Sequence, residues 1–251
     1  VRAVTFDLWQ TLMHDRPEQG AKRARRRAER IHQTLRRAGC ELPLEEIGSA
    51  LRELWEVWQG EYWANDVDPG FEAQLAWLYQ RFGLGGELAA AAPATDASGK
   101  SVAARPRGAM LAELRAELCA GYVDPIFEVP PEVDAEALPV LRSLRQRGYK
   151  LGLICNTSVT PGYALRRLLD GWGLGPVLDA QLFSDELGIR KPAPAIFHEA
   201  ARRLGADISA VLHVGDRPDV DVEGAITAGA RGLLVRPDAP LSKLLDTLTS
   251  S

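Results

Sequence analysis

HVGDRPDVDVEGAITAGA, residues His213–Ala230, holds the most specific pattern in the chain. The apolar run ending at Val214 reads as a short buried strand, and Gly215 permits a tight turn after it. Asp216 is then presented at the strand end. Asp221 follows at the start of a segment with helical character that carries Gly224 and Gly229. Strand, glycine turn and helix in that order form the repeating joint of a parallel α/β sheet. Two carboxylates presented together also make a hard-oxygen site of the kind Mg²⁺ prefers. Asp219 or Asp221 alone could simply cap the helix. That reading leaves Gly215-Asp216 without a purpose.

Working outward from this joint, the same alternation fills the second half of the chain. Leu138–Arg147 reads as helix, Lys150–Cys155 as strand, Tyr163–Leu169 as helix and Ala180–Ser184 as strand. Pro194–Leu204 reads as helix, Ala210–Val214 as strand, Val222–Ala228 as helix and Gly232–Val235 as strand. At the other end of the chain, Arg2–Phe6 is a further apolar strand. The fold class is therefore α/β, a Rossmann-like, doubly wound parallel sheet. Ligands of such sheets bind beyond the carboxyl ends of the strands. Asp7, Cys155 and Asp216 each stand at or just past such an end.

From Arg16 to Tyr122 the texture is almost wholly helical, which predicts an inserted cap at 15–129 on a core of 1–14 and 130–251. Within the cap, the low-complexity stretch 89–104 (AAAAPATDASGKSVAA) predicts a mobile loop. The basic segment Lys22–Arg37 invites a nucleic-acid reading. An amphipathic helix with Ala24, Ala28, Ile31 and Leu35 inward explains it better, because no aromatics are interleaved and the chain carries a formal charge of -4. Trp55, Trp58, Trp63 and Trp77 could line a pocket, but packing is their commoner use. Cys40, Cys119 and Cys155 lack metal-site or disulfide spacing and predict reduced thiols in a cytoplasmic protein. Neither a signal segment nor a run of ~20 apolar residues is visible, so no membrane partner is expected.

Asp7 follows the strand VRAVTF, where a carboxylate can act as a nucleophile. Between Cys155 and Asp216 lies GIRKPAP, residues 188–194, whose prolines restrain the loop that carries Lys191. An ammonium held there would neutralise an anion and the clustered carboxylates. The ordered set FDLWQTL, LGLICNTS, IRKPAPAIF and HVGDRPDVDVEGA resembles the four motifs of the haloacid dehalogenase-like (HAD) hydrolase superfamily. The insert falls where that superfamily carries its first type of cap. The resemblance implies an Asp nucleophile, usually Mg²⁺, and most often phosphoryl transfer, here hydrolysis of a small, anionic phosphorylated compound. By position, Asp7 corresponds to the nucleophile and a metal ligand, with the backbone carbonyl of Trp9 as a second ligand. Asp216 corresponds to the main metal carboxylate, Asp221 to its supporting partner and Lys191 to the motif lysine. Thr11, Cys155, Asn156 and Lys191 are the expected phosphate-binding positions. Cys155 stands where the superfamily usually has Ser or Thr, and a thiol is the weaker donor.

Trp9 divides the functional reading. Phosphatases of the superfamily usually carry an Asp there to protonate the leaving group, help worth typically ~10²–10⁴-fold. An indole N–H cannot replace it. His14 and His213 are the nearby titratable alternatives, although His213 lies inside a strand and suits a packed role. The dehalogenase branch does place an aromatic residue at this position and needs no metal, yet it typically lacks the Gly-Asp pair seen at Gly215-Asp216. A Mg²⁺-dependent phosphatase, a metal-independent 2-haloacid dehalogenase and a binding protein without turnover all remain open from sequence. Clustered carboxylates near Asp7 favour the first.

Overall fold

The computed structural model describes residues 1–84, 86, 106–236 and 240–249, so the stretch 89–104 lies outside the described residues. Five parallel strands form the main sheet: β1 Ala3–Phe6, β4 Lys150–Cys155, β5 Ala180–Phe183, β6 Val211–Gly215 and β7 Arg231–Leu234. Their order is β5-β4-β1-β6-β7, which places the first strand at the centre. The central strands are mostly apolar, as a sheet covered on both faces requires, and their buried polar residues Thr5 and His213 bond to each other. Val4, Phe6, Leu151 and Leu153 face the helices Ala137–Gln146 and Gly162–Gly171. Ala3 and Ile154 face the helix Pro194–Leu204 through Ile196, Phe197 and Ala200.

The strands read from sequence agree with the structure to within a residue or so at each end. One expected helix, Val222–Ala228, is instead a single π-type turn at Pro218–Glu223 followed by the short helix Gly224–Thr227. The wider turn begins at Pro218 and brings Asp221 back beneath Gly215.

The chain divides into two compact units, Val1–Pro17 with Tyr62–Gly70 and Pro131–Ser251, and Glu18–Glu61 with Phe71–Pro130. In the first, β2 Met13–His14 pairs antiparallel with β3 Glu132–Val133, joining the two ends of the core where the insert leaves and returns. The division differs from a single insert at 15–129, because Tyr62–Gly70 belongs with the sheet. Asp68 explains the difference. It is buried, its Oδ2 accepts from Ser184 Oγ at 2.6 Å and Thr157 Oγ1 at 3.2 Å, and its Oδ1 accepts from Gly70 N at 3.2 Å. A carboxylate so fully satisfied holds its segment in place. Arg190 N also donates to Asp66 O, and Asp68 N to Gly188 O.

The second unit is helical. Its first helix, Pro17–Arg37, buries Ile31, Leu35 and Ala28 but leaves Ala24 exposed, contrary to the simple amphipathic reading. Arg23 and Arg27 take the inward positions. Arg23 Nη1 donates to Val129 O at 3.0 Å, and Arg27 Nε donates to Tyr122 O at 2.6 Å while its guanidinium stacks on the Tyr122 ring. These bonds let Arg23 and Arg27, rather than Ala24, take buried positions on the helix. Arg26 and Arg30 pair with Glu128, and Arg37 with Glu117 at 2.9 Å, so much of the basic face is neutralised internally. Of the tryptophans, Trp58 is buried in this unit while Trp55 is 37% exposed. Among the described residues, no helix is long and apolar enough to cross a membrane.

Candidate active site

Asp7 is the first residue past β1, and its N–H still donates to Val214 O at 2.8 Å, as if the strand continued. Its neighbours β4 and β6 end beside it, at Cys155 and Gly215. Parallel pairing thus gathers Asp7, Cys155 and Asp216 at one edge of the sheet. One carboxylate oxygen from each of Asp7, Asp216 and Asp221 lies within 4.8 Å of the others.

Lys191 is the cation of this cluster. Its Nζ lies 2.6 Å from Asp7 Oδ1 and 2.8 Å from Asp221 Oδ1, and the side chain is 1% exposed. Asn156 sets that position through the backbone. Its Oδ1 accepts from Lys191 N at 2.8 Å and its Nδ2 donates to Lys191 O at 2.8 Å. Both ends of the Asn156 carboxamide thus hold the lysine peptide, with one Nδ2 hydrogen beyond these two bonds. Thr157 is likewise engaged with Asp68, Ser184 and the N–H of Asp185.

Asp221 is bonded on both oxygens, to Lys191 and His213 through Oδ1 and to the N–H of Arg217 through Oδ2 at 3.0 Å. Gly215 is required by this arrangement, since a Cβ there would stand 2.3 Å from the Asp221 carboxylate. His213 is fully buried between Thr5 Oγ1 at 2.9 Å and Asp221 at 3.3 Å, with its ring edge on Phe197. It belongs to the packing. His14 pairs with Asp134 Oδ2 at 2.8 Å and is partly exposed.

The electrostatics follow from this inventory. Burial pushes Asp7 up to about 6; Lys191 opposes the shift, while Asp221 and Asp216 add to it. Burial would also raise Asp221, but Lys191 and His213 outweigh it and hold that carboxyl well below the usual carboxylate range. The two acids differ because Asp221 receives more donors. Burial alone would lower Lys191; Asp7 and Asp221 reverse the sign and raise it. Burial, then Asp221, raises Asp216. Burial lowers His213 to about 4, so it is neutral near pH 7. Cys155, last in β4 and fully buried, is pushed well above its ordinary value by burial and by Asp7, and is a thiol. Thr11 Oγ1 is buried with no hydrogen-bond partner among the described residues. Trp9 is half-buried against the core on the Phe6 side, just before Gln10 turns through a left-handed φ of 57°.

Three carboxylates against one ammonium leave an excess of negative charge in a buried place, and all their donors are hard oxygens. This set fits a divalent cation.

A family model for haloacid dehalogenase-like hydrolases matches residues 1–229. The chain belongs to that family. As an HAD-like hydrolase, it is 32% identical over 201 residues to a phosphoserine phosphatase of Thermus thermophilus, covering 78% of this chain and 70% of the relative. It is 39% identical over 103 residues to a glyceraldehyde 3-phosphate phosphatase of Methanopyrus kandleri, covering 40% of this chain and 42% of the relative. The match thus spans under half the length of the Methanopyrus protein. Among solved structures, an HAD phosphatase from Thermococcus onnurineus superposes with a TM-score of 0.60 at 20% identity, covering 99% of this chain and 98% of that one. A 2-haloacid dehalogenase from Pseudomonas syringae gives 0.62 at 23% identity, covering 100% and 99%. At such identities the two structures share the fold with this HAD-like hydrolase.

The residues that sequence reasoning passed over are Asp68 and Arg190. Asp68-Pro69-Gly70 breaks an otherwise helical insert, and that break was the available signal. Arg190 carried none beyond its place beside Lys191.

Proposed function

We propose that this protein is a Mg²⁺-dependent phosphatase of small phosphorylated compounds, acting in the cytoplasm through Asp7. The observation that carries the reading is the meeting of Asp7, Asp216 and Asp221 at the carboxyl edge of the central strands, with Lys191 bonded to Asp7 and Asp221. The phosphatase names of the relatives support it.

In this reading an Asp7 carboxylate oxygen attacks phosphorus, the ester P–O bond breaks, and the leaving oxygen takes its proton from water. A second water then attacks phosphorus, phosphate departs and Asp7 is regenerated. Lys191, held by Asn156, neutralises charge on the phosphoryl oxygens as they crowd the acidic cluster. Thr11 Oγ1, without a protein partner, supplies a further hydrogen bond, and the Cys155 thiol a weak one. Asp7, Asp216, the Trp9 carbonyl and, through its support, Asp221 would hold the cation. When bound, Mg²⁺ supplies charge neutralisation that lets an anionic ester approach three carboxylates. Trp9 offers no proton, so esters with good leaving groups are the better substrates.

Trp9 is also what favours a dehalogenase, in which Asp7 would attack carbon and expel halide without metal. The excess of carboxylates weighs against it. Phosphate release from an aryl phosphate and halide release from short 2-haloacids, each measured with Mg²⁺ and with chelator, separate the two. The expected result is Mg²⁺-dependent phosphate release that is lost in Asp7→Asn. Phosphate release indifferent to chelator, or halide release alone, overturns the reading.

A further inference from the structure

Arg190 stands beside the motif lysine but serves none of the roles above. Its backbone is fixed on both sides, by its own N–H to Asp66 O and by the Asn156 clamp on the next peptide. Its guanidinium stacks on the Trp63 ring, 4.5 Å from the centroid, which fixes the plane of the group. Trp63, Asp66 and Asp68 all lie in the Tyr62–Gly70 segment that belongs with the sheet. Arg190 is half-buried, its Nη1 is enclosed without an acceptor, and among the described residues no carboxylate pairs with the guanidinium. The nearest acid by its electrostatic effect, Asp68, has its oxygens engaged by Ser184, Thr157 and Gly70. The charge of Arg190 also reaches the Cys155 thiol, on which Asp7 and Lys191 act as well.

A half-buried guanidinium that no carboxylate among the described residues neutralises, held against an aromatic face, is suited to receive an external anion on the part of its fork that is not enclosed. The planar fork of a guanidinium matches the two oxygens of a carboxylate, which it binds bidentately. We propose that Arg190, oriented by Trp63, recognises a carboxylate on the substrate, and that the substrate class is a small phosphorylated acid. The identity of the phosphorylated end rests on the phosphatase reading above. The arginine site itself does not.

The two are separated by binding of non-hydrolysable probes to the full chain with Mg²⁺. Phosphonoacetate carries both a phosphonate and a carboxylate, while ethylphosphonate lacks the carboxylate and methylenediphosphonate replaces it with a second phosphonate. Calorimetry is expected to show phosphonoacetate bound about 10- to 100-fold more tightly than ethylphosphonate, the range for a charged, bidentate contact. In Arg190→Gln that ratio falls to within about threefold of one, and Arg190→Lys, which keeps the charge without the fork, recovers only part of it. A ratio near one in the unaltered protein overturns the proposal. So does a ratio that survives both substitutions, or a preference for methylenediphosphonate over phosphonoacetate. If the probe ratio behaves as expected while no aryl phosphate is hydrolysed, the phosphatase reading fails and the carboxylate site stands.

Discussion

The carboxamide of Asn156 grips the peptide of Lys191 at both ends, accepting from its N–H and donating to its carbonyl, each at 2.8 Å. The reactive edge of the sheet is thereby assembled by a residue whose side chain faces the lysine loop. Replacing Asn156 with Asp keeps the acceptor and turns the donor into a second acceptor facing the Lys191 carbonyl. The expected cost is about 1–3 kcal/mol of stability and a fall in kcat of at least tenfold. Urea denaturation beside aryl phosphate turnover measures both. A variant as active as the parent would show that the lysine is positioned by something else.

Lys191→Met removes the ammonium shared by Asp7 and Asp221 and leaves buried carboxylates unpaired. A loss on the order of 3–5 kcal/mol is expected in chelator. Mg²⁺ should restore part of it, since a cation relieves the same repulsion. Denaturation curves with and without Mg²⁺ decide the point, and equal losses in both media would argue against a cation at this cluster.

Two buried groups oppose one another as the pH falls. Asp7, raised to about 6, binds protons in the folded state before the unfolded chain does, so it adds stability as pH drops from about 6 towards its ordinary 3.8. His213, lowered to about 4 from 6.5, contributes stability that is complete above 6.5 and is lost as pH falls towards 4. In chelator the two nearly cancel between pH 6 and 4. His213→Gln removes the second contribution and should leave a variant whose stability rises on acidification, by up to ~1.4 kcal/mol per pH unit. Denaturation at pH 6.5, 5.5 and 4.5 gives the slope, and parallel profiles for the two proteins would refute the assignment.

Gly215→Ala puts a methyl group 2.3 Å from the Asp221 carboxylate. Asp221 must then release Lys191, His213 or the Arg217 N–H. About 1–3 kcal/mol of stability should be lost to overpacking, together with most of the activity. A variant that retains full turnover would contradict the claim that Asp221 fixes this glycine.

The basic helix separates structural arginines from solvated ones. Arg27→Ala should cost about 2–3 kcal/mol, because the Tyr122 carbonyl and ring both lose a buried partner. Arg25→Ala, in an exposed pair with Glu29, should change stability by about 0.5 kcal/mol or less. Comparable costs for the two would remove the distinction.

Much of this was legible in the sequence, for physical reasons. Strand ends show because an apolar run must stop where the sheet stops, and a glycine or carboxylate marks the place. That is how Asp7, Cys155 and Asp216 could be aligned without coordinates. Lys191 was legible because prolines follow it at 192 and 194. What stayed hidden depends on partners distant along the chain. The part Asn156 plays in holding the lysine loop rests on two bonds to a peptide 35 residues away. Arg23 and Arg27 read as solvated charges because periodicity assigns buried positions by polarity, and their carbonyl partners, Val129 and Tyr122, lie about 100 residues away. Asp68 sits amid helical texture, and its fixing partners Thr157 and Ser184 follow some 89 and 116 residues later.

The return of Tyr62–Gly70 to the sheet means that the backbone passes between the two units four times, at 17/18, 61/62, 70/71 and 130/131. A module joined by two strands can be exchanged between relatives in one recombination event, carrying its specificity with it. Here such an exchange would also remove Asp68 from Ser184 and Trp63 from Arg190. The helical unit can thus be swapped or trimmed only by donors that bring the same nine-residue staple, and divergence of its outer helices is freer than divergence of that short piece.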